Sequence, residues 1–111
     1  MRRVNIGLVG GGTVGGGVFQ AVRRNGPLMT CRLGLSLAIR RVAVRDPRKA
    51  RRVKIPASLI TTDWRQVVRD PGTDIVVELI GGTTTARQVV LEALELGKPV
   101  ITANKALLSA H

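Results

Sequence analysis

The sequence predicts an α/β fold: one doubly wound parallel sheet with helices on its faces. Three observations carry that expectation. Apolar runs at 4–9, 37–44, 75–80 and 99–102 are short, rich in Val and Ile, and nearly continuous, as strands buried on both faces are. Helical spacings and turn residues separate these runs, which favours parallel strands joined by crossovers. Between the first run and the first helical pattern, residues 6–17 hold seven glycines in twelve positions. A chain of 111 residues suits a single domain spanning 1–111.

The elements follow in order. Val4 to Val9 is a strand. Val14, Val18, Ala21 and Val22 then recur at helical spacing, closed by Arg23 and Arg24. Residues 25–36 are ambiguous, because Gly26-Pro27 interrupts while Leu28, Met29 and Leu33 could form a further helical turn. Leu37 to Val44 is the second strand. Residues 45–57 are basic, carry Pro47 and Pro56, and are expected to be loop. Leu59-Ile60 is a very short third strand, and Thr62 or Asp63 can cap a short helix running through Arg69. After the turn "DPGTD", Ile75 to Ile80 forms the fourth strand. Thr84 to Leu96 forms a helix with apolar Ala86, Val89, Val90, Ala93, Leu94 and Leu96, and Gly97 stands where a C-terminal cap belongs. Residues 99–102 are a fifth strand, and Ala106-Leu107-Leu108 begins another helix.

Composition narrows the function. The net charge is +11, which fits a phosphate-bearing ligand, an anionic surface or nucleic acid. Nucleic acid is set aside: one Trp, one Phe and no Tyr leave no stacking platform, and no recognised binding motif accompanies the arginines. Cys31 is the only cysteine, so no disulfide framework or cysteine metal cluster is expected. Arg2-Arg3 before an apolar run imitates a signal peptide, but glycines dilute the run and no cleavage site follows. No segment approaches the roughly 20 apolar residues of a membrane span. A soluble cytoplasmic protein is expected.

The glycines point to a ligand. Gly10-Gly11-Gly12-Thr13-Val14-Gly15 matches G-x-G-x-x-G, directly after a strand and opening a helix. In that Rossmann-type arrangement Gly10 allows the tight turn, Gly12 lets backbone approach a pyrophosphate, and Gly15 lets helix and strand pack closely. The helix N-terminus supplies free N–H groups and about half a positive charge to the anion. At the end of the second strand, an acid would bind the ribose of NAD and an arginine the 2′-phosphate of NADP. The sequence offers both, Arg45 and Asp46. Gly81-Gly82, after the fourth strand, could let a nicotinamide ring lie against backbone. Lys105, after the fifth, could reach the ribose, the pyrophosphate or a substrate oxygen. Glu78 lies inside an apolar strand without an assigned role.

"IGLVGGGTVGGGV", "RRVAVRD", "LITTD", "DIVVELIGG" and "ALELGKPVITANKALLSAH" occur in that order and together resemble the nucleotide-binding domain of homoserine dehydrogenases. The resemblance covers almost the whole chain, and "VVELIGG" with "TANKALL" is more specific than the glycine motif. Only "GPLMTCRLGLSL" departs from the family's pattern. The resemblance implies reduction of aspartate β-semialdehyde to homoserine with NADP, preferred, or NAD. It places the amides of Thr13 and Val14 near the pyrophosphate, Arg45 at the 2′-phosphate, and Thr102, Ala103 and Lys105 at the nicotinamide end. The family's proton-donating lysine, acidic substrate residues and dimerisation elements lie in a later domain. A piece of a longer, homodimeric enzyme is therefore expected, cut after the fifth strand, with no catalytic residue of its own. The alternative is a non-catalytic module that binds or senses NAD(P).

Overall fold

The computed structural model describes residues 2–10, 16–24, 34–45, 55–80 and 84–102. Among them are five parallel strands: β1 (Arg2–Val9), β2 (Leu35–Ala43), β3 (Ile60–Thr61), β4 (Ile75–Glu78) and β5 (Val100–Thr102). They lie in the order β3-β2-β1-β4-β5. The chain thus builds outward from β1 in one direction, then returns and builds in the other. Residues 16–24 are helical (α1). α2 (Trp64–Val68) and α3 (Thr84–Glu95) follow, with a single 3-10 turn at Ala57–Leu59.

Strand alternation sorts the apolar residues into two cores. Ile6, Leu8, Val42, Val44 and Val77 face α1, whose Phe19 is buried among them. Val9, Ala43 and Val76 face the other way, against Val67 and Val68 of α2 and Val89 and Ala93 of α3. The helices therefore cover opposite faces, as a doubly wound sheet requires. α1 corrects one expectation. Ala21 is exposed and Val18 and Val22 are half-buried, while the unassigned Phe19 is the anchor. Its larger ring reaches the sheet, and Arg23 lies over it, 5.4 Å from the ring centroid.

β2 keeps its inner face through an irregularity. Ile39 pairs with Ile6, but Arg41 pairs with Gly7, so Arg40 is an extra residue. Leu37 and Ile39 before it, and Val42 and Val44 after it, consequently face the same core despite opposite parity. Gly7 must be glycine, since a Cβ there would sit 2.5 Å from Val67 and 2.9 Å from Thr73.

Boundaries shift by one or two residues from those expected. β1 gains Arg2 and Arg3, because Leu35 and Ser36 pair with them. Asp63, not Thr62, caps α2, accepting from the Arg65 N–H at 3.0 Å. The 3-10 turn and buried Ile55 replace part of the expected loop. α3 ends at Glu95. Its carbonyls are closed by Gly97 N–H to Leu94 O at 3.0 Å and Lys98 N–H to Ala93 O at 2.9 Å, with Gly97 at φ +74°. Leu94 and Leu96 are exposed rather than buried, because they project from the flank and end of the helix, away from the sheet. Residues 25–33, 46–54 and 103–111 lie outside the described residues, so the ambiguous helical turn, most of the basic loop and the final helix do too.

The amino end of the sheet is tied by charges. Arg40 Nε donates to Asp70 Oδ2 at 2.7 Å, and Gly72 N–H to Asp70 Oδ1 at 2.9 Å. Lys98 Nζ donates to the Asp70 carbonyl at 2.6 Å and to Val68 O, one of the carbonyls α2 leaves open. Asn5 N–H donates to Asp74 Oδ2 at 2.8 Å. Arg69 joins α2 to α3 through Glu92 at 2.6 Å.

Candidate functional site

The carboxyl ends of β1, β2, β4 and β5 lie side by side. In open α/β sheets ligands bind there, at the point where the strand order reverses. Here that point falls between β1 and β4.

Gly10 follows β1 directly. Its φ is +113°, a value side chains rarely accept. Its N–H donates to Ala43 O at 2.8 Å, and Leu79 N–H donates to Val9 O at 2.9 Å. A Cβ on Gly10 would lie 3.1 Å from the Leu79 carbonyl. The positive φ is one reason for glycine at this position, and a second is that the end of β4 crosses too close for a side chain. Gly16, the first described residue of α1, is buried. Gly12, Thr13, Val14 and Gly15 fall outside the described residues.

Arg45 is exposed at the end of β2. The strand closes at Ala43, and Val44 N–H still reaches Thr61 O at 2.8 Å. Arg45 is therefore the first residue past the ladder. Asp46 lies outside the described residues.

Glu78 closes β4, two residues earlier than the sequence suggested. The carboxylate explains the early stop. Its Oε1 accepts from the Ile80 N–H at 2.7 Å, drawing that amide out of strand pairing. Its Oε2 accepts from the Thr102 hydroxyl at 2.5 Å. In register, Glu78 stands opposite Val9 on one side and Thr102 on the other. Parallel partners share a face, so the acid at the last position of one strand meets the hydroxyl at the last position of the next. Glu78 is fully buried. Sequence reasoning left it without a role; the signal was there, but only the strand register turns it into a contact.

Of the residues expected to hold a cofactor, the structure thus places Gly10, Arg45 and Thr102 along one edge of the sheet. Gly81, Gly82, Ala103 and Lys105 lie outside the described residues. Among the described residues, no three His, Cys, Asp or Glu are grouped to hold a metal ion. No helix among them is long and apolar enough to cross a membrane.

Comparison with known proteins agrees with this arrangement. Residues 10–111 match the family model "Homoserine dehydrogenase, NAD binding domain". The chain is 50% identical over 109 residues to the homoserine dehydrogenase of Methylobacillus glycogenes, covering 98% of this chain and 26% of that protein. The crystal structure of S. aureus homoserine dehydrogenase at pH 7.5 superimposes with a TM-score of 0.92 at 36% identity, over 99% of this chain and 28% of that one. The homoserine dehydrogenase of Thiobacillus denitrificans gives a TM-score of 0.87 at 43% identity, over 99% of this chain and 25% of that one. The chain spans about a quarter of the length of the curated relatives it matches. With the doubly wound sheet and Gly10 at its switch point, these matches establish that the chain belongs to the homoserine dehydrogenase NAD-binding domain family.

Proposed function

We propose that the chain binds the dinucleotide of a homoserine dehydrogenase, prefers NADPH over NADH, and turns over no substrate by itself. The observation that carries this is Gly10, held at positive φ between the ends of β2 and β4 where the strand order reverses. The pyrophosphate would lie against the loop of Gly12, Thr13, Val14 and Gly15 ahead of α1. The adenosine 2′-phosphate would meet Arg45, whose planar guanidinium can grip it in a bidentate way. Asp46 opposes that phosphate, but Arg48, Lys49, Arg51, Arg52 and Lys54 make the neighbourhood strongly positive. The nicotinamide half would lie over Gly81-Gly82, Thr102, Ala103 and Lys105, with Lys105 close to cofactor and substrate.

The whole enzyme, on this reading, is a cytoplasmic homodimer that reduces aspartate β-semialdehyde to homoserine, on the way to threonine, methionine and isoleucine. The dinucleotide supplies the hydride. The proton donor comes from outside residues 1–111, since proton transfer needs a group within hydrogen-bond reach of the substrate oxygen.

Calorimetric titration tests the reading. The chain is expected to bind NADPH, and Gly12→Val to remain folded without binding, because its side chain would fill the space of the pyrophosphate. Unchanged affinity in Gly12→Val would remove the phosphate-cradle role. Robust oxidation of NADPH by aspartate β-semialdehyde, with this chain alone, would overturn the division of labour.

A further inference from the structure

Glu78 is an expensive residue in its place. It is fully buried at the end of an otherwise apolar strand, on the face that carries Val76, Val67 and Val89. Taking a carboxyl group out of water carries a desolvation penalty that opposes folding. An apolar side chain of similar volume would pack the position without that penalty. Both carboxylate oxygens are spent on the strand ends: Oε1 on the Ile80 amide, Oε2 on the Thr102 hydroxyl. Neither bond reaches the amino end of the sheet or any helix.

We propose that Glu78 is a positioning residue of the dinucleotide site, acting through Thr102 to present its hydroxyl oxygen to the nicotinamide half of the cofactor. The inference rests on the dinucleotide reading above. The Thr102 hydroxyl donates to Glu78 Oε2, so its proton points at Glu78 and the side chain is held in one rotamer. Any further hydrogen bond to that oxygen must be donated to it. The nicotinamide half carries two kinds of donor, the carboxamide NH2 and the ribose hydroxyls. The adenosine half, at the end of β2, lies two strands away from β4. Glu78 therefore affects one half of the ligand and not the other.

The test compares NADPH with 2′-phospho-ADP, which lacks both the nicotinamide ring and its ribose, by titration of the chain. Glu78→Gln keeps the size and one acceptor oxygen but turns an amide NH2 toward Thr102. It is expected to weaken NADPH about tenfold, the scale of one hydrogen bond to a charged group. Binding of 2′-phospho-ADP is expected to stay within about twofold, since no contact to the adenosine half changes. Thr102→Val is expected to reproduce the loss, Thr102→Ser to restore most of the affinity, and the double variant Glu78→Gln/Thr102→Val to lose no more than either single one. The acetylpyridine analogue of NADPH, whose methyl ketone has no NH2, separates the two donors. It binds tenfold worse to the unsubstituted chain if the carboxamide is the partner, and equally well if a ribose hydroxyl is.

Equal losses for both ligands, or additive losses in the double variant, would show that Glu78 only joins two strands, and would overturn the proposal. Should Glu78→Gln fail to fold, Thr102→Val decides: a loss confined to NADPH supports the proposal, and no loss overturns it. An unsubstituted chain that binds neither ligand overturns the dinucleotide reading itself, and the role of Glu78 with it.

Discussion

The two ends of the sheet are built from opposite materials. At the amino end, charged side chains bond within the protein: Lys98 to two backbone carbonyls, Asp70 to the Arg40 side chain and the Gly72 amide, Asp74 to the Asn5 amide. Their bonding capacity is used internally. At the carboxyl end the chain instead offers a glycine held at positive φ, an exposed arginine and a hydroxyl oriented by a buried acid. The same +11 chain thus uses its cations in two ways. Arg40 and Lys98 at the amino end tie the turn after α2 to its neighbours, whereas Arg45 at the carboxyl end is exposed.

That contrast can be broken by substitution. The largest effect is expected for Lys98→Met, which leaves the Val68 and Asp70 carbonyls without their donor. Two hydrogen bonds from a charged group, taken at the weak end of their range, are together worth about 3 kcal/mol. Thermal unfolding should then occur more than about 10 °C lower, since ~1 kcal/mol shifts a domain of this size by roughly 4–8 °C. NADPH affinity of the folded fraction should not change. A matching loss of affinity would mean that the two ends are not separable.

Arg45→Ala is the reverse case. Melting should be unaffected, because Arg45 lies past the ladder and is exposed. NADP binding should weaken roughly 10- to 150-fold, a charged hydrogen bond being worth about 1.5–3 kcal/mol. NAD affinity should change little, and added salt should weaken NADP more steeply than NAD. Equal losses for both cofactors would assign Arg45 to the adenine or the fold.

The pH dependence sharpens the amino end further. The hydrogen bond from Arg40 holds the Asp70 carboxyl below its ordinary value, helped by the Gly72 amide and against a smaller penalty of burial. The unfolded chain binds that proton at about pH 3.9. Asp70 therefore contributes stability that is complete above about pH 4 and is lost as pH falls through the lower folded value. Urea midpoints should decline below about pH 4, and Asp70→Asn should start lower at pH 7 and decline less. A variant that follows the full acid slope would place the titrating group elsewhere.

The smallest change is expected for Gly97→Ala. Open space surrounds that position, so only the φ of +74° is strained, at about 1 kcal/mol. A loss above 3 kcal/mol would mean that α3 moves as a whole.

The residue pattern alone determined the fold class. Continuous Val- and Ile-rich runs need cover on both faces, and the glycine cap, the Asp63 cap and the strand-to-helix glycine turn act through neighbouring atoms, so they are legible one segment at a time. Gly10 and Arg45 were singled out this way, because strand ends can be located from hydrophobic runs, whereas Thr102 was singled out through the family resemblance. Tertiary structure decided what depends on pairing between distant segments. Phe19 looks like one apolar residue among several until the sheet shows which side of α1 it meets. Arg40 is unremarkable until the register leaves it unpaired beside Asp70. Leu94 fits the apolar pattern of α3, yet it lies on a flank that no described element covers. Glu78 is an isolated acid in an apolar run until β5 arrives beside it, 24 residues later, and places a hydroxyl against its carboxylate. Local propensity is set by nearest neighbours in the chain; the partner of a buried charge is set by which strands become neighbours in space.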